Sequence, residues 1–86
     1  MILTDKQQQI VSTIDNWVNG ILAKGGGDED ILIGMYDYME GFKYLLDTLD
    51  NGNINILCNH HEGFYRFAKA LENLAVGIQS GDIDVP

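Results

Sequence analysis

The side chains best suited to chemistry lie in the stretch CNHHEGFYRF, residues 58–67. Cys58, His60, His61 and Glu62 place a thiol, two imidazoles and a carboxylate within five positions. Thiolate, imidazole and carboxylate groups are the usual ligands of Zn²⁺, and a cysteine beside a histidine is a pair used in nucleophilic catalysis. The spacing therefore raises two hypotheses, a metal site and a catalytic site.

The metal hypothesis depends on which of these side chains share one face of a helix. On a continuous helix, Cys58, His61 and Glu62 fall within about 100° of arc, whereas the adjacent His60 and His61 diverge and cannot easily chelate one ion. A closed tetrahedral site needs a fourth ligand, which Glu40 or a second subunit would have to supply. The structural alternative places His60 on the apolar face, His61 at its edge and Cys58 as a small hydrophobic residue. We expect this structural alternative, and we therefore expect no cofactor. A metal- or small-ligand-binding bundle is the second hypothesis.

Catalysis by the same residues is disfavoured because the sequence does not supply the rest of a catalytic site. A Cys58–His61 pair has no evident asparagine or aspartate to orient the histidine. Backbone N–H groups inside a helix are already bonded and cannot form an oxyanion hole. Small helical bundles also rarely enclose a substrate-sized pocket. We therefore expect no enzyme activity.

The elements that would position these residues are three helices, predicted from apolar residues that recur every three or four positions. Helix 1 covers about residues 4–24. Thr4 and Gln7 are typical of a capping box at its start, and the glycines at 25–27 end it. Its apolar face is formed by Ile10, Ile14, Trp17 and Ile21.

Helices 2 and 3 follow from the same periodicity. Helix 2 covers about residues 29–50, and the Asp50-Asn51-Gly52-Asn53 sequence after it is interpreted as a turn with a glycine C-cap. Helix 3 covers about residues 54–80, and residues 82–86 form a tail. The apolar stripe of helix 2 is wide enough to predict contact with two neighbours. It is formed by Leu32, Met35, Met39, Phe42, Leu46 and Leu49, with Ile31, Tyr38 and Leu45 on its flank.

Length and composition favour one all-α domain over residues 1–86. The short connections predict that consecutive helices run antiparallel, as an up-down three-helix bundle. A hydrophobic content of 45% suffices for a packed core, but so short a chain buries only about 60–65% of its unfolded surface. We therefore expect the bundle to assemble into a larger helical bundle, as a homodimer or higher homo-oligomer.

The charge balance disfavours several partners. Thirteen acidic against five basic residues give a net charge of −8, whereas direct binding of nucleic acid requires cations that neutralise phosphates. No apolar run approaches the roughly 18–20 residues that span a bilayer, and the first residues lack a signal-peptide pattern. With Cys58 as the single cysteine, a reducing compartment fits best. We expect a cytoplasmic protein without membrane contact.

Two further features bear on function. A row of Asp37, Glu40, Asp47 and Asp50, interrupted by Lys43, supports a weaker hypothesis that the chain imitates a polyanion and inhibits a nucleic-acid-binding protein. Tyrosines half outside a core suit interfaces, and glycines seven residues apart on helix 2 permit close helix approach. The leading hypothesis is a non-catalytic protein that acts by self-association and by regulating a partner protein. The candidate interface residues are Trp17, Gly34, Tyr36, Tyr38, Gly41, Tyr44 and Tyr65.

Overall fold

Helices and short connections make up the whole described chain, which in this computed structural model comprises residues 2–80, with side chains described for residues 2–74. The described residues contain no strand, and the all-α prediction is confirmed. The predicted tail, residues 82–86, lies outside the described residues. The elements in chain order are α1 (Asp5–Ala23), α2 (Asp28–Gly34), a 3₁₀ helix (Met35–Tyr38), α3 (Met39–Thr48), α4 (Asn51–His60) and α5 (Glu62–Ser80).

Helix α1 begins and ends where its sequence predicts, because both caps are local. Thr4 Oγ1 accepts the N–H of Gln7 at 3.2 Å, and Gln7 Oε1 accepts the N–H of Thr4 at 2.9 Å. This reciprocal pair is the predicted capping box. At the other end Gly25 adopts a φ of 83°, a left-handed conformation that glycine tolerates. Gln7 also donates to Thr48 Oγ1 at 3.1 Å, which ties the start of α1 to the end of α3.

The predicted helix 2 is not one α-helix, because its middle tightens into the 3₁₀ helix. Gly34 lies against the indole of Trp17, and a Cβ atom at position 34 would collide with that ring. The ring of Tyr38 stacks on the same indole, with 4.4 Å between centroids. The tighter winding therefore coincides with the place where the Trp17 side chain of α1 packs against this segment. Apolar spacing alone did not indicate it, because the apolar residues continue through the change.

The connection between α3 and α4 differs from the predicted glycine C-cap. Helix α3 ends at Thr48, and Leu49 is extended, with φ −118° and ψ 146°. The Asp50 side chain accepts the N–H of Asn53 at 2.8 Å and so caps the start of α4. Gly52 lies in the first turn of α4 rather than past the end of a helix. The interpretation of these residues as a C-terminal turn was wrong, because aspartate competes effectively for the N-cap position.

The predicted helix 3 is divided at His61, where the chain adopts φ −131° and ψ 98°. The N–H of His61 bonds to the carbonyl of Leu57 and closes α4, and α5 begins at Glu62. The three predicted helices thus become five shorter α-helices and a 3₁₀ helix over residues 2–80. None of the described helices is long and apolar enough to cross a lipid bilayer.

The core lies between α1, α5 and the shorter helices that pack around them. The ring of Phe42 lies 5.6 Å from Phe64 and 5.0 Å from Phe67, centroid to centroid. Leu45 is fully buried, whereas Leu46, predicted in the middle of the apolar stripe, is 48% exposed. The buried face of α3 is therefore rotated from the predicted apolar stripe towards the flank that contains Leu45. The buried apolar residues are Val11, Ile14, Val18, Ile31, Met35, Phe42, Leu45, Leu57, Phe64, Phe67 and Ala70.

Candidate functional site

The candidate metal ligands are distributed over two helices and the break between them. Cys58 is half-buried on α4, His60 is exposed at its end, and Glu62 is exposed in the first turn of α5. The predicted place of His60 on the apolar face was wrong, because one helical wheel cannot describe both sides of the break at His61. In the described part of the chain, no three or more His, Cys, Asp or Glu residues form a group that could hold a metal ion.

His61 faces a residue that the sequence did not single out, Asp15 of α1. The distance from His61 Nδ1 to Asp15 Oδ2 is 3.7 Å, and Asp15 Oδ1 accepts the N–H of Phe64 at 3.1 Å. The first N–H groups of a helix have no partner within the helix, so this carboxylate caps α5 from another element. Gly63 lies against the backbone of Asp15, where a Cβ atom would collide with the carbonyl oxygen. The signal in the sequence was Gly63 itself. Glycine in a helix interior destabilises the helix by about 1 kcal/mol, so its presence indicates a close contact at that position.

The thiol of Cys58 is poorly suited to nucleophilic chemistry. Desolvation by burial raises the pKa of Cys58 above the ordinary value of 9.0. At neutral pH the group is therefore held in the protonated form, and the thiolate is the reactive form of cysteine.

Four of the candidate interface residues are used for contacts within the chain. Trp17 and Tyr38 stack on each other, and Trp17 also meets Phe67 edge to face at 6.2 Å. Gly34 lies against Trp17, and a Cβ atom on Gly41 would come within 3.1 Å of the Ile10 side chain. These residues therefore join α1 to the α2–α3 segment and to α5.

The remaining three candidates differ in exposure. Tyr36 is 86% exposed and Tyr65 is 45% exposed. Tyr44 is half-buried beneath Lys6, whose Nζ lies 4.1 Å from the ring centroid in a cation–π contact. Of the three, Tyr36 leaves the most aromatic surface for a partner.

Tyr36 belongs to an exposed row that we call the α2–α3 stripe. Its members recur at helical spacing from α2 through the 3₁₀ helix to the first turn of α3, and all are exposed. Ile33, at 78% exposure, is its second large apolar side chain, and sequence reasoning missed it. The signal was an isoleucine one turn before Tyr36 on the face opposite the predicted apolar stripe. The stripe consists of Glu29, Ile33, Tyr36, Asp37 and Glu40.

An open groove, which we call the α1–α3 groove, lies beside the stripe and has a volume of about 270 Å³. Ile10 and Tyr38 contribute apolar surface, and Asp37 belongs both to the groove and to the stripe. Gly41 contributes no side chain to the lining. The full lining is Gln9, Ile10, Thr13, Ile14, Asp37, Tyr38 and Gly41.

The acidic row predicted for a polyanion mimic does not lie on one helix. Asp37 is in the 3₁₀ helix, Glu40 and Asp47 are exposed on α3, and Asp50 caps α4 with its carboxylate. The carboxylates therefore lie on three elements rather than on the one continuous helix that was predicted.

No protein-family model matches the chain, and comparisons with curated proteins and with solved structures likewise find no match. Its function must therefore be inferred from the geometry of its own residues.

Proposed function

We propose that this chain is a non-catalytic interaction module that docks another polypeptide on the α2–α3 stripe. The observation that carries the proposal is the exposure of Ile33 (78%) and Tyr36 (86%), one turn apart on the same face. Contiguous exposed apolar side chains mark interaction sites, and tyrosine is enriched among residues that anchor interfaces. Covering these two side chains would stabilise a complex in proportion to the apolar area removed from water.

The non-catalytic part of the proposal is supported by the region around Cys58. Its thiol has a raised pKa, and His60 is exposed at the end of α4, away from the core. Glu62 belongs to the next helix. Cys58, His60 and Glu62 line one open hollow on the surface. No group of three such side chains in the described residues could hold a metal ion, and a thiol with a raised pKa is a weak nucleophile at neutral pH.

Self-association, the form of interaction predicted from the sequence, would have to use residues that the core leaves uncovered. On the α2–α3 segment these are Ile33, Tyr36 and Leu46, since Ile31, Met35, Phe42 and Leu45 are buried within the chain. In a two-fold pairing of the stripe, Glu29 and Glu40 of one copy would face the same carboxylates of the other. Like charges across an interface oppose association. The proposed function therefore does not assume a homodimer, and the experiment described next would detect one.

The test is photo-crosslinking in cells that produce the full chain. Replacing Tyr36 with p-benzoylphenylalanine places the probe on the stripe, and the same replacement of the exposed Asn16 on α1 is the matched control. We expect a discrete adduct from position 36 that position 16 does not give and that Ile33→Ser abolishes. An adduct of twice the chain mass would identify a homodimer. No adduct at position 36, or equal labelling at both positions, would contradict the proposed function.

A further inference from the structure

We infer that the partner on the α2–α3 stripe presents a lysine or arginine side chain that enters the α1–α3 groove and pairs with Asp37. The inference rests on the proposed function, because it concerns the same surface. It adds the chemistry of the partner: a basic polypeptide segment in which a cationic residue lies next to apolar ones.

The first observation is the charge of the surface. Between Lys24 and Lys43 the sequence contains five acidic residues and no basic residue, within a chain of net charge −8. Three of those acidic residues, Glu29, Asp37 and Glu40, are exposed members of the stripe. Lys6 of α1 lies with Glu40 at the neighbouring hollow, but no basic residue lines the groove itself. A predominantly acidic surface favours a basic partner, accelerates its association and opposes a second copy of itself.

The second observation is the shape and lining of the groove. The groove is open, with a volume of about 270 Å³, whereas small-molecule sites bury most of the surface of their ligand, so a single side chain is the better fit. Ile10 and Tyr38 offer apolar surface to the stem of a lysine or arginine, and Gln9, Thr13 and Asp37 offer oxygen acceptors. Long basic side chains need this combination, because their stem is apolar and their head is charged.

The third observation joins the groove to the stripe. Asp37 follows Tyr36 directly in the chain and lines the groove, while Tyr36 and Ile33 remain exposed beside it. A partner segment could therefore place its cation at Asp37 and its neighbouring apolar residues on Ile33 and Tyr36. Ile33 and Tyr36 would supply the apolar anchor, and Asp37 would supply the charge that selects a basic partner.

The experiment uses the full chain labelled with ¹⁵N and three capped peptides as probes. The peptides are identical, with leucines on both sides of a central residue that is arginine, citrulline or glutamate. Citrulline keeps the shape of arginine and removes its charge. We expect the arginine peptide to shift the amide signals of Asp37 and Gly41, and the citrulline peptide to bind about five-fold more weakly, as for an exposed ion pair. The glutamate peptide should bind more weakly still, and added salt should reduce the differences in affinity among the three peptides.

Two variants of the chain complete the test. Asp37→Asn should weaken the arginine peptide about five-fold and leave the citrulline peptide unchanged, whereas Asp47→Asn, an exposed carboxylate on α3 outside the groove, should change neither. Equal binding of the arginine and citrulline peptides, shifts that map away from the groove, or no shifts at millimolar peptide would overturn the inference.

Two combinations of results separate the basic partner from the docking surface itself. A crosslink at position 36 that joins two copies of the chain would preserve the proposed function and overturn the basic partner. If position 36 gave no adduct and the peptides shifted no amide signals, both the docking surface and the basic partner would be contradicted.

Discussion

The carboxylate of Asp15 on α1 accepts the backbone N–H of Phe64 in the first turn of α5, 49 residues further along the chain, at 3.1 Å. The side chain of Asp15 is largely buried and also faces His61, the residue at which α4 and α5 separate. A helix start that is covered by the fold needs an acceptor for its free N–H groups. A tertiary contact therefore supplies an N-terminal cap of α5.

Removing this cap should destabilise the fold. We expect Asp15→Ala to lower the free energy of unfolding by about 1–2 kcal/mol, the usual cost of losing an N-cap acceptor. Asp15→Asn retains an oxygen acceptor and should cost less. Urea unfolding followed by circular dichroism measures both, and an Asp15→Ala variant as stable as the parent would show that the contact does not contribute.

Two glycine substitutions should have opposite signs. A Cβ atom at Gly63 would collide with the Asp15 carbonyl oxygen, whereas one at Gly20 meets no atom within 4 Å. We expect Gly63→Ala to cost about 1–3 kcal/mol through overpacking. Gly20→Ala, inside α1, should stabilise by about 0.4–1 kcal/mol because it restricts the unfolded chain. Thermal unfolding of the two variants compares them directly, and a stable Gly63→Ala protein would disprove the close approach.

The sequence predicted those parts of the fold that depend on neighbouring residues. Thr4, Gln7 and Gly25 set the two ends of α1 through contacts within a few positions, so its limits were predictable. At the break at His61 the first turn of α5 is capped by Asp15, far away in the chain, and the apolar periodicity runs through the break. Tertiary contacts of this kind override local patterns, and a single sequence does not show them.

The candidate surface was predictable only in part. Tyr36 was identified as an interface candidate because tyrosines half outside a core suit interfaces, and it is exposed. Trp17 and Tyr38 were predicted at the apolar faces of their helices and Gly34 at a close helix approach, and the structure uses all three within the chain, because Trp17 stacks on Tyr38 and lies against Gly34. The groove itself depends on how α1 lies against α3, which no periodicity specifies.

The pKa of Cys58 should be visible in its alkylation rate. Burial raises this pKa above 9.0, so the thiolate fraction at neutral pH is smaller than in the unfolded chain, and the rate should reach half its maximum at a higher pH. Iodoacetamide modification followed by mass spectrometry across the alkaline range measures this, with the urea-unfolded chain as the control. Equal pH midpoints in the folded and unfolded chains would show that burial does not protect the thiol.

Adjacent leucines on α3 provide the sharpest test of which face is buried. Leu45 is fully buried, whereas Leu46 is 48% exposed although the apolar spacing placed it within the stripe. Leu45→Ala should therefore lower the free energy of unfolding by about 2–5 kcal/mol, because it removes core volume. Leu46→Ala should change it by about 0.5 kcal/mol or less, as expected for a surface substitution. Both variants replace a leucine of the same helix by alanine, so helix propensity changes equally in the two. The difference between their free energies of unfolding therefore reports burial. If Leu46→Ala were the more damaging, α3 would have to be rotated about its axis to bury Leu46, and the position of the α2–α3 stripe would change with it.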